Sequence, residues 1–219
     1  MLTSPSLFRS RGVTLVEVLV AIVVLSIGLL GIAGLQVATT KYKINTWSRS
    51  ASASLLSDIS ERIRFNPVVA GPNFVTKASL SLNYALSENW ATQQGKSDAS
   101  LAVTPNCEAI PSSGTIPTCT AAQRAASDIS IWRLAVRKAL PQGAALIDGD
   151  RSQGFIITLM WFDKENTDSQ ERLDDGTPPT LVTSTTCSAN TAGLAQQTCC
   201  PAAAQAPAGV RCARFSFIP

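Results

Sequence analysis

The chain has 219 residues, of which 45% are hydrophobic, and a formal net charge of +3. Beyond residue 35, its 16 Lys and Arg residues nearly balance its 14 Asp and Glu residues, so the charge gives no support to a nucleic-acid-binding role. The absence of histidine excludes His-based acid–base catalysis, Ser-His-Asp triads and His-ligated metal sites.

The first predicted element is an apolar helix. It follows a basic leader, residues 1–12, and its run from Val13 to Leu35 holds 15 Leu, Ile and Val residues. These residues contribute roughly 5 to 9 kcal/mol to membrane insertion, which outweighs a cost of about 3 kcal/mol for the one charged residue, Glu17. About 23 residues at 1.5 Å each cross the hydrocarbon core of a bilayer. We therefore expect residues 13–35 to span a membrane and residues 36–219 to form a head.

Glu17 is a functional candidate because an ionisable side chain inside a membrane segment needs a partner. Cleavage after Gly12 would leave Val13 as a free amino terminus, four residues before Glu17. Positions four apart share a helix face. A neighbouring copy shifted along the axis would offer its ammonium to this carboxylate, and the low dielectric would strengthen that pair. Glu17 is thus predicted to fix the axial register between subunits.

The hexapeptide Gly12-Val-Thr-Leu-Val-Glu17, followed by an apolar helix, resembles the class III signal of type IV pilins and type II secretion pseudopilins. The resemblance implies that a prepilin peptidase cleaves after Gly12 and methylates Val13, and that Glu17 neutralises the new terminus during assembly. The family usually has phenylalanine where this chain has Val13. A conventional signal peptide cut near residues 31–33, or a plain anchor, is the alternative.

The same resemblance implies a location and partners. The subunit would sit in the inner membrane with its head in the periplasm, and would join an extracellular filament after assembly. Its partners would be the prepilin peptidase, other major and minor pilins, and the inner-membrane assembly platform.

The apolar run continues into an amphipathic stretch with no proline before Pro67. One continuous helix over 13–64 is predicted, ended by Asn66-Pro67. Two helices with a hinge near Gly34 are the alternative. Apolar residues spaced by three or four should form its buried stripe in the head, namely Ile44, Trp47, Ala51, Leu55, Ile59 and Ile63.

An even number of cysteines behind a membrane anchor indicates disulfides in an oxidising compartment. The simplest connectivity joins the three pairs that lie twelve residues apart, although other connectivities stay open. A zinc site is the alternative, but the spacing lacks the paired C-x₂-C of zinc ribbons. The cysteines are Cys107, Cys119, Cys187, Cys199, Cys200 and Cys212.

A second helix is predicted from a capping box of Thr120 and Gln123, running to Leu140. Its buried stripe should contain Ala125, Ile129, Trp132, Val136 and Leu140, whereas Arg133, Arg137 and Lys138 should face water. Residues 66–119 should have little regular structure apart from a short helical turn at 80–91. The run from Cys107 through Cys119-Thr, Asp128, Trp132 and Leu140-Pro141 resembles the type IV pilus modification proteins, which are PilV-type minor pilins.

Four strands are predicted, with antiparallel connections. A central strand covers 154–162, a short one covers 144–147 and turns at Asp148-Gly149, and two others cover 180–183 and 210–218. The acidic stretch 163–179 is predicted to be a solvated turn, with a calcium loop as the alternative, although it lacks the EF-hand spacing.

These elements together predict an α+β, pilin-like fold: a long amino-terminal helix packed on a small antiparallel sheet, with disulfide-bonded loops. No nucleophile–base pair is visible, so we expect no enzymatic activity, no cofactor and no metal. The predicted function is that of a minor pilin that initiates, modifies or caps a type IV pilus. A type II secretion minor pseudopilin and a membrane-tethered binding or sensor domain are the alternatives.

Overall fold

The computed structural model describes residues 13–66, 84–109, 114, 117–150, 154–167 and 180–219. The chain divides into two compact units, Met1–Asn45 and Thr46–Pro219. A long amino-terminal helix, a small antiparallel sheet and disulfides give the α+β, pilin-like architecture that the sequence predicted.

Helix α1 covers Leu15–Phe65, close to the predicted bounds of 13 and 64. Hydroxyl side chains within and just after its apolar part, Leu15–Gln36, are satisfied within the helix. The hydroxyl of Ser26 donates to the carbonyl of Ile22 at 2.7 Å, and that of Thr40 donates to the carbonyl of Gln36 at 2.8 Å. Such bonds lower the cost of placing hydroxyl groups in an apolar environment.

The buried face of α1 in the head differs from the predicted stripe. Leu55, Ile59 and Ile63 are buried as expected, but Trp47 is 67% exposed. The stripe instead continues through Ser48 and Ser52, which are 2% and 1% exposed. The hydroxyl of Ser52 donates to the carbonyl of Ser48 at 2.7 Å, so these small side chains are buried without an unpaired donor. The prediction was wrong at Trp47 because it followed apolar residues only; the side chain of Ile44 lies outside the described residues.

Two short helices, α2 over Trp90–Gln94 and α3 over Asp98–Leu101, precede the second long helix. The helical turn predicted at 80–91 is wrong for residues 84–89, and residues 80–83 lie outside the described ranges. Leu86 pairs instead with Ile147, and α2 begins only after Asn89, whose side chain accepts from the Thr92 amide at 2.8 Å.

Helix α4 covers Ala121–Ala139 and begins with the predicted capping box, in which Thr120 and Gln123 bond each other's backbone amides. Trp132 is fully buried and its indole Nε1 donates to the carbonyl of Leu55 at 2.8 Å. This bond fastens α4 to the distal part of α1.

The sheet has the order β1-β2-β3, with Ala144–Asp150, Gly154–Phe162 and Val210–Phe217 all antiparallel. The turn predicted at Asp148-Gly149 is wrong, because β1 continues to Asp150 and Gly149 stays within it at φ 101°. The strand predicted at 180–183 is also wrong: that segment forms only an isolated bridge between Leu181 and Thr167.

Each face of the sheet has its own core. The odd-numbered β2 residues, from Phe155 to Trp161, pack with the distal part of α1 and with α4. Met160 on the other face packs with Trp90, Val210 and Cys212. The sheet is therefore covered on both sides, as the dense apolar sequence of β2 predicted.

Three disulfides join the cysteines in the pairs suggested by their spacing. They are Cys107–Cys119, Cys187–Cys199 and Cys200–Cys212, with Cα–Cα distances of 6.0, 5.0 and 5.3 Å. Cys187–Cys199 closes the loop that carries the short helix α5, Leu194–Thr198, and Cys200–Cys212 fastens the end of that segment to strand β3.

Candidate functional site

The start of α1 contains a second capping box that the sequence reading missed. The amide of Glu17 donates to the hydroxyl of Thr14 at 3.3 Å, and the amide of Thr14 donates to Oε2 of Glu17 at 3.4 Å. Thr14 precedes the first helical residue, Leu15, so Glu17 occupies the third helical position. The signal was present as Thr-x-x-Glu, the form that identified Thr120 and Gln123.

This geometry gives Glu17 a local structural role beside its predicted role in assembly. The carboxylate lies at the positive end of the α1 dipole and accepts a hydrogen bond from the Thr14 amide. That amide is one residue away from the nitrogen that cleavage after Gly12 would expose. The capping box thus places the carboxylate at the start of the helix, beside the expected new amino terminus. Gly12 itself lies outside the described residues.

The surface of α1 beyond Glu17 is apolar. Leu15–Gln36 is long and apolar enough to cross a membrane by length and composition, and none of its most apolar window is buried. At 1.5 Å per residue it measures about 33 Å, close to the hydrocarbon thickness. A Cβ added at Gly28, Gly31 or Gly34 would meet nothing within 4 Å. The large apolar residues over 13–35 are all at least 48% exposed; they are Val13, Leu15, Val16, Val18, Leu19, Val20, Ile22, Val23, Val24, Leu25, Ile27, Leu29, Leu30, Ile32 and Leu35.

A charged network joins α1 to α4 in the head. Arg62 contacts Glu108, bonds Asp58 at 2.8 Å and bonds Asp128 at 3.1 Å. Burial alone lowers the pKa of Arg62, but its bonds with Glu108 and Asp58 outweigh burial and raise that pKa above the ordinary value. The hydroxyl of Tyr84 donates to Oδ2 of Asp128 at 2.5 Å.

Burial raises the pKa of Tyr84, and its bond to Asp128 raises it further. Burial also raises the pKa of Asp128, against the opposing effect of the bonds from Tyr84 and Arg62. Perturbed pKa values are typical of catalytic sites but also of structural ion-pair networks. Here every partner is bonded to another member of the network, so we assign the network to holding the two helices together.

A second network corrects the prediction that Arg133 and Arg137 face water. The side chain of Arg133 is 11% exposed and donates to Glu88 at 2.7 Å; that of Arg137 is 18% exposed and donates to Asp98 at 2.7 Å. Arg137 also donates to the carbonyl of Gln93 at 2.6 Å. Arg137 is covered by α2 and α3, which sequence periodicity did not predict, and Arg133 is paired with Glu88 in the segment just before α2.

The acidic stretch is only partly described, since residues 168–179 lie outside the described ranges. In its described part, Asp163 accepts from Nε of Arg211 at 2.5 Å and from the amide of Glu165 at 2.9 Å. Over the described residues, no group of three or more His, Cys, Asp or Glu residues is placed to hold a metal ion.

Residues 7–33 match a family model described as the prokaryotic N-terminal methylation motif. The match supports a type IV pilin-like or pseudopilin precursor. For such a precursor the motif implies processing by a prepilin peptidase and an assembly context of the pilin type, and with the apolar helix it fits membrane anchoring. Neither the search of curated proteins nor the search of solved structures gave a significant match.

Proposed function

We propose that the chain is a minor subunit of a type IV pilus that is processed between Gly12 and Val13, methylated at Val13, and incorporated to initiate, modify or cap the filament. One observation carries the proposal: a methylation motif over residues 7–33 coincides with the start of a membrane-length helix whose third residue is Glu17. The looser resemblance around Cys107 and Trp132 favours the PilV type of minor pilin.

The exposed apolar surface at the start of α1 supports a role in assembly. Exposing an apolar surface as large as that of Leu15–Gln36 to water costs free energy. Lipid would cover this surface before assembly, and neighbouring helices would cover it afterwards. Helices that exchange contacts with lipid for contacts with each other gain little from the hydrophobic effect, so close packing and polar contacts between the helices set their register. The Glu17 carboxylate, paired with the ammonium of a neighbouring Val13, supplies such a contact in a low-dielectric setting.

The amino terminus of the mature protein tests the processing step. Mass spectrometry should find a chain that begins at Val13 and carries the added mass of one methyl group. A mature chain that begins at Met1, or near residues 31–33, contradicts the proposal.

Two substitutions separate the assembly role of Glu17 from its capping role. Glu17→Gln keeps the capping box, because glutamine fills the same position, but removes the charge. Thr14→Val removes the cap and keeps the charge. Both variants should insert into the membrane, but only Glu17→Gln should be lost from sheared filaments on an immunoblot. Normal incorporation of Glu17→Gln would refute the charge-pairing mechanism.

A deletion strain distinguishes the pilus from the secretion system. Loss of surface pili and of twitching motility, with normal export of secreted enzymes, is the expected phenotype. The opposite pattern would assign the protein to the secretion system as a minor pseudopilin.

A further inference from the structure

A cleft in the head lies between the distal part of α1, helix α5 and strand β3. Its volume is about 270 Å³, and Ala53, Thr198 and Arg214 are among its lining residues. Strand β3 is the last strand in the sheet order, and the cleft also reaches Trp161 on the neighbouring strand β2.

Arg214 brings a positive charge to this cleft without a carboxylate partner among the described residues. Its Nη1 donates to the disulfide sulfurs of Cys187 and Cys199, at 3.2 and 3.5 Å. Its Nε is covered and finds no hydrogen-bond acceptor in the part of the chain that the structure describes. Sulfur is a weak acceptor, so the guanidinium is poorly satisfied. The neighbouring Arg211 differs, since its Nε is paired with Asp163 at 2.5 Å.

The remaining walls are mixed in character. Trp161 and Phe215 supply apolar surface, while Ser52 and Ser184 supply hydroxyl groups. A cavity of roughly 150 Å³ already holds benzene, and drug-sized ligands occupy roughly 300 Å³ or more. The cleft therefore suits a group the size of one ring or one side chain that has both an apolar body and an anionic head.

We propose that this cleft binds a carboxylate carried on a small apolar body, with Arg214 as its anchor. The Nε and Nη2 edge of a guanidinium matches the two oxygens of a carboxylate. Binding would turn the guanidinium from the disulfide sulfurs toward the cleft, which gives the covered Nε an acceptor. A free organic acid and an acidic side chain of another protein present the same chemistry. This binding is separate from the assembly role of Glu17.

Calorimetric titration of the full-length protein in detergent tests the proposal, with benzoate as the probe and uncharged benzamide as its control. Ala53→Phe should block the cleft, because Ala53 is solvent-exposed on α1 and lines the cavity. Ser54→Phe is the matched control, since Ser54 is also exposed but does not line the cavity. Benzoate should bind the wild type and Ser54→Phe alike, and Ala53→Phe and Arg214→Gln at least about tenfold more weakly.

A second arm identifies the source of the carboxylate. The acetylated, amidated tripeptide Ala-Asp-Ala is titrated under the same conditions. Tighter binding of the tripeptide than of benzoate supports an acidic side chain, and the reverse supports a free organic acid. Absence of binding by both, equal binding of benzamide, or unchanged affinity in Ala53→Phe would overturn the proposal. If Arg214→Gln does not fold, the comparison of Ala53→Phe with Ser54→Phe decides it.

Discussion

The hydroxyl of Tyr84 donates to Oδ2 of Asp128 at 2.5 Å, in a pocket where Tyr84 is fully buried and Asp128 is 6% exposed. Asp128 also accepts from Arg62, so the tyrosine adds a third group to the contact between α1 and α4. The side chain of Asn66 donates to the same hydroxyl at 3.2 Å.

Tyr84→Phe should lower the free energy of unfolding by about 1 to 3 kcal/mol, because it leaves a buried carboxylate and a buried amide each short of one partner. Denaturant unfolding of the full chain in detergent measures the change. A double-mutant cycle with Asp128→Asn should give a coupling energy of about 0.5 kcal/mol or more. Additive effects would show that the short contact contributes nothing of its own.

Trp132→Phe should destabilise the head by about 1 to 3 kcal/mol, since it removes the indole donor to Leu55 and part of a fully buried side chain. Trp47→Phe is the matched control: Trp47 is 67% exposed, and its change should stay within about 0.5 kcal/mol. Equal losses in the two variants would contradict the burial pattern of α1 and α4.

Gly143→Ala should also destabilise the head, by about 1 to 3 kcal/mol, because an added Cβ would lie 2.3 Å from the carbonyl oxygen of Val136. Gly95→Ala provides the comparison, since its Cβ would meet only backbone oxygens at 3.6 and 3.7 Å. That variant should change stability by less than about 1 kcal/mol. Thermal unfolding of both proteins side by side measures the difference.

Acidification should weaken the network around Glu88. Burial alone would raise its pKa, but the bonds from Lys96 and Arg133 outweigh burial and lower that pKa below its ordinary value of 4.5. When the pKa of a carboxyl is lower in the folded state than in the unfolded state, the carboxyl stabilises the protein at pH values above the unfolded-state pKa. This stabilisation is lost as the pH falls through the folded-state pKa. Unfolding free energies measured from pH 7 to pH 3 should therefore fall less steeply in Glu88→Gln than in the wild type. If the free energy of unfolding fell equally steeply with pH in both proteins, the pairing of Glu88 with Lys96 and Arg133 would be contradicted.

The disulfides offer a comparison at constant loop length, since each joins residues twelve apart. The chain-entropy model gives about 3 kcal/mol for such a loop. Replacing Cys200 and Cys212 by alanine should cost more than replacing Cys107 and Cys119, because the first pair lies in a buried cluster and the second is only partly buried. Denaturant unfolding measures the free energy of unfolding of both variants. Equal losses of that free energy would mean that loop closure alone determines how much each disulfide stabilises the protein.

Several elements could be predicted from the sequence because a local pattern specified each one. The apolar run predicted the first part of α1, and the capping box at Thr120 predicted the start of α4. The high density of apolar residues over 154–162 predicted the buried strand β2. Equal cysteine spacing suggested the disulfide pairs. These features depend on residues close together in the chain, and periodicity and capping chemistry describe such residues well.

The features that could not be predicted depend on contacts between distant residues. The burial of Ser48 and Ser52 in place of Trp47 depends on how closely the head approaches α1. The covering of Arg133 depends on Glu88, which lies 45 residues away in the chain. The position of the Arg214 guanidinium against two disulfide sulfurs depends on a strand and a disulfide-bonded loop that meet only in the folded chain. The capping box at Thr14 is different, because its Thr-x-x-Glu pattern is local and could be predicted from the sequence.

The fastening of α4 to α1 has a mechanical consequence. Trp132 on α4 donates to the carbonyl of Leu55 on α1, and Asp128 on α4 accepts from the guanidinium of Arg62, two turns after Leu55 on α1. A pull directed along that helix therefore strains both attachments at once, as in shear, rather than opening them one after the other. A head attached in this way should resist tensile load better than a head whose attachments open one after the other.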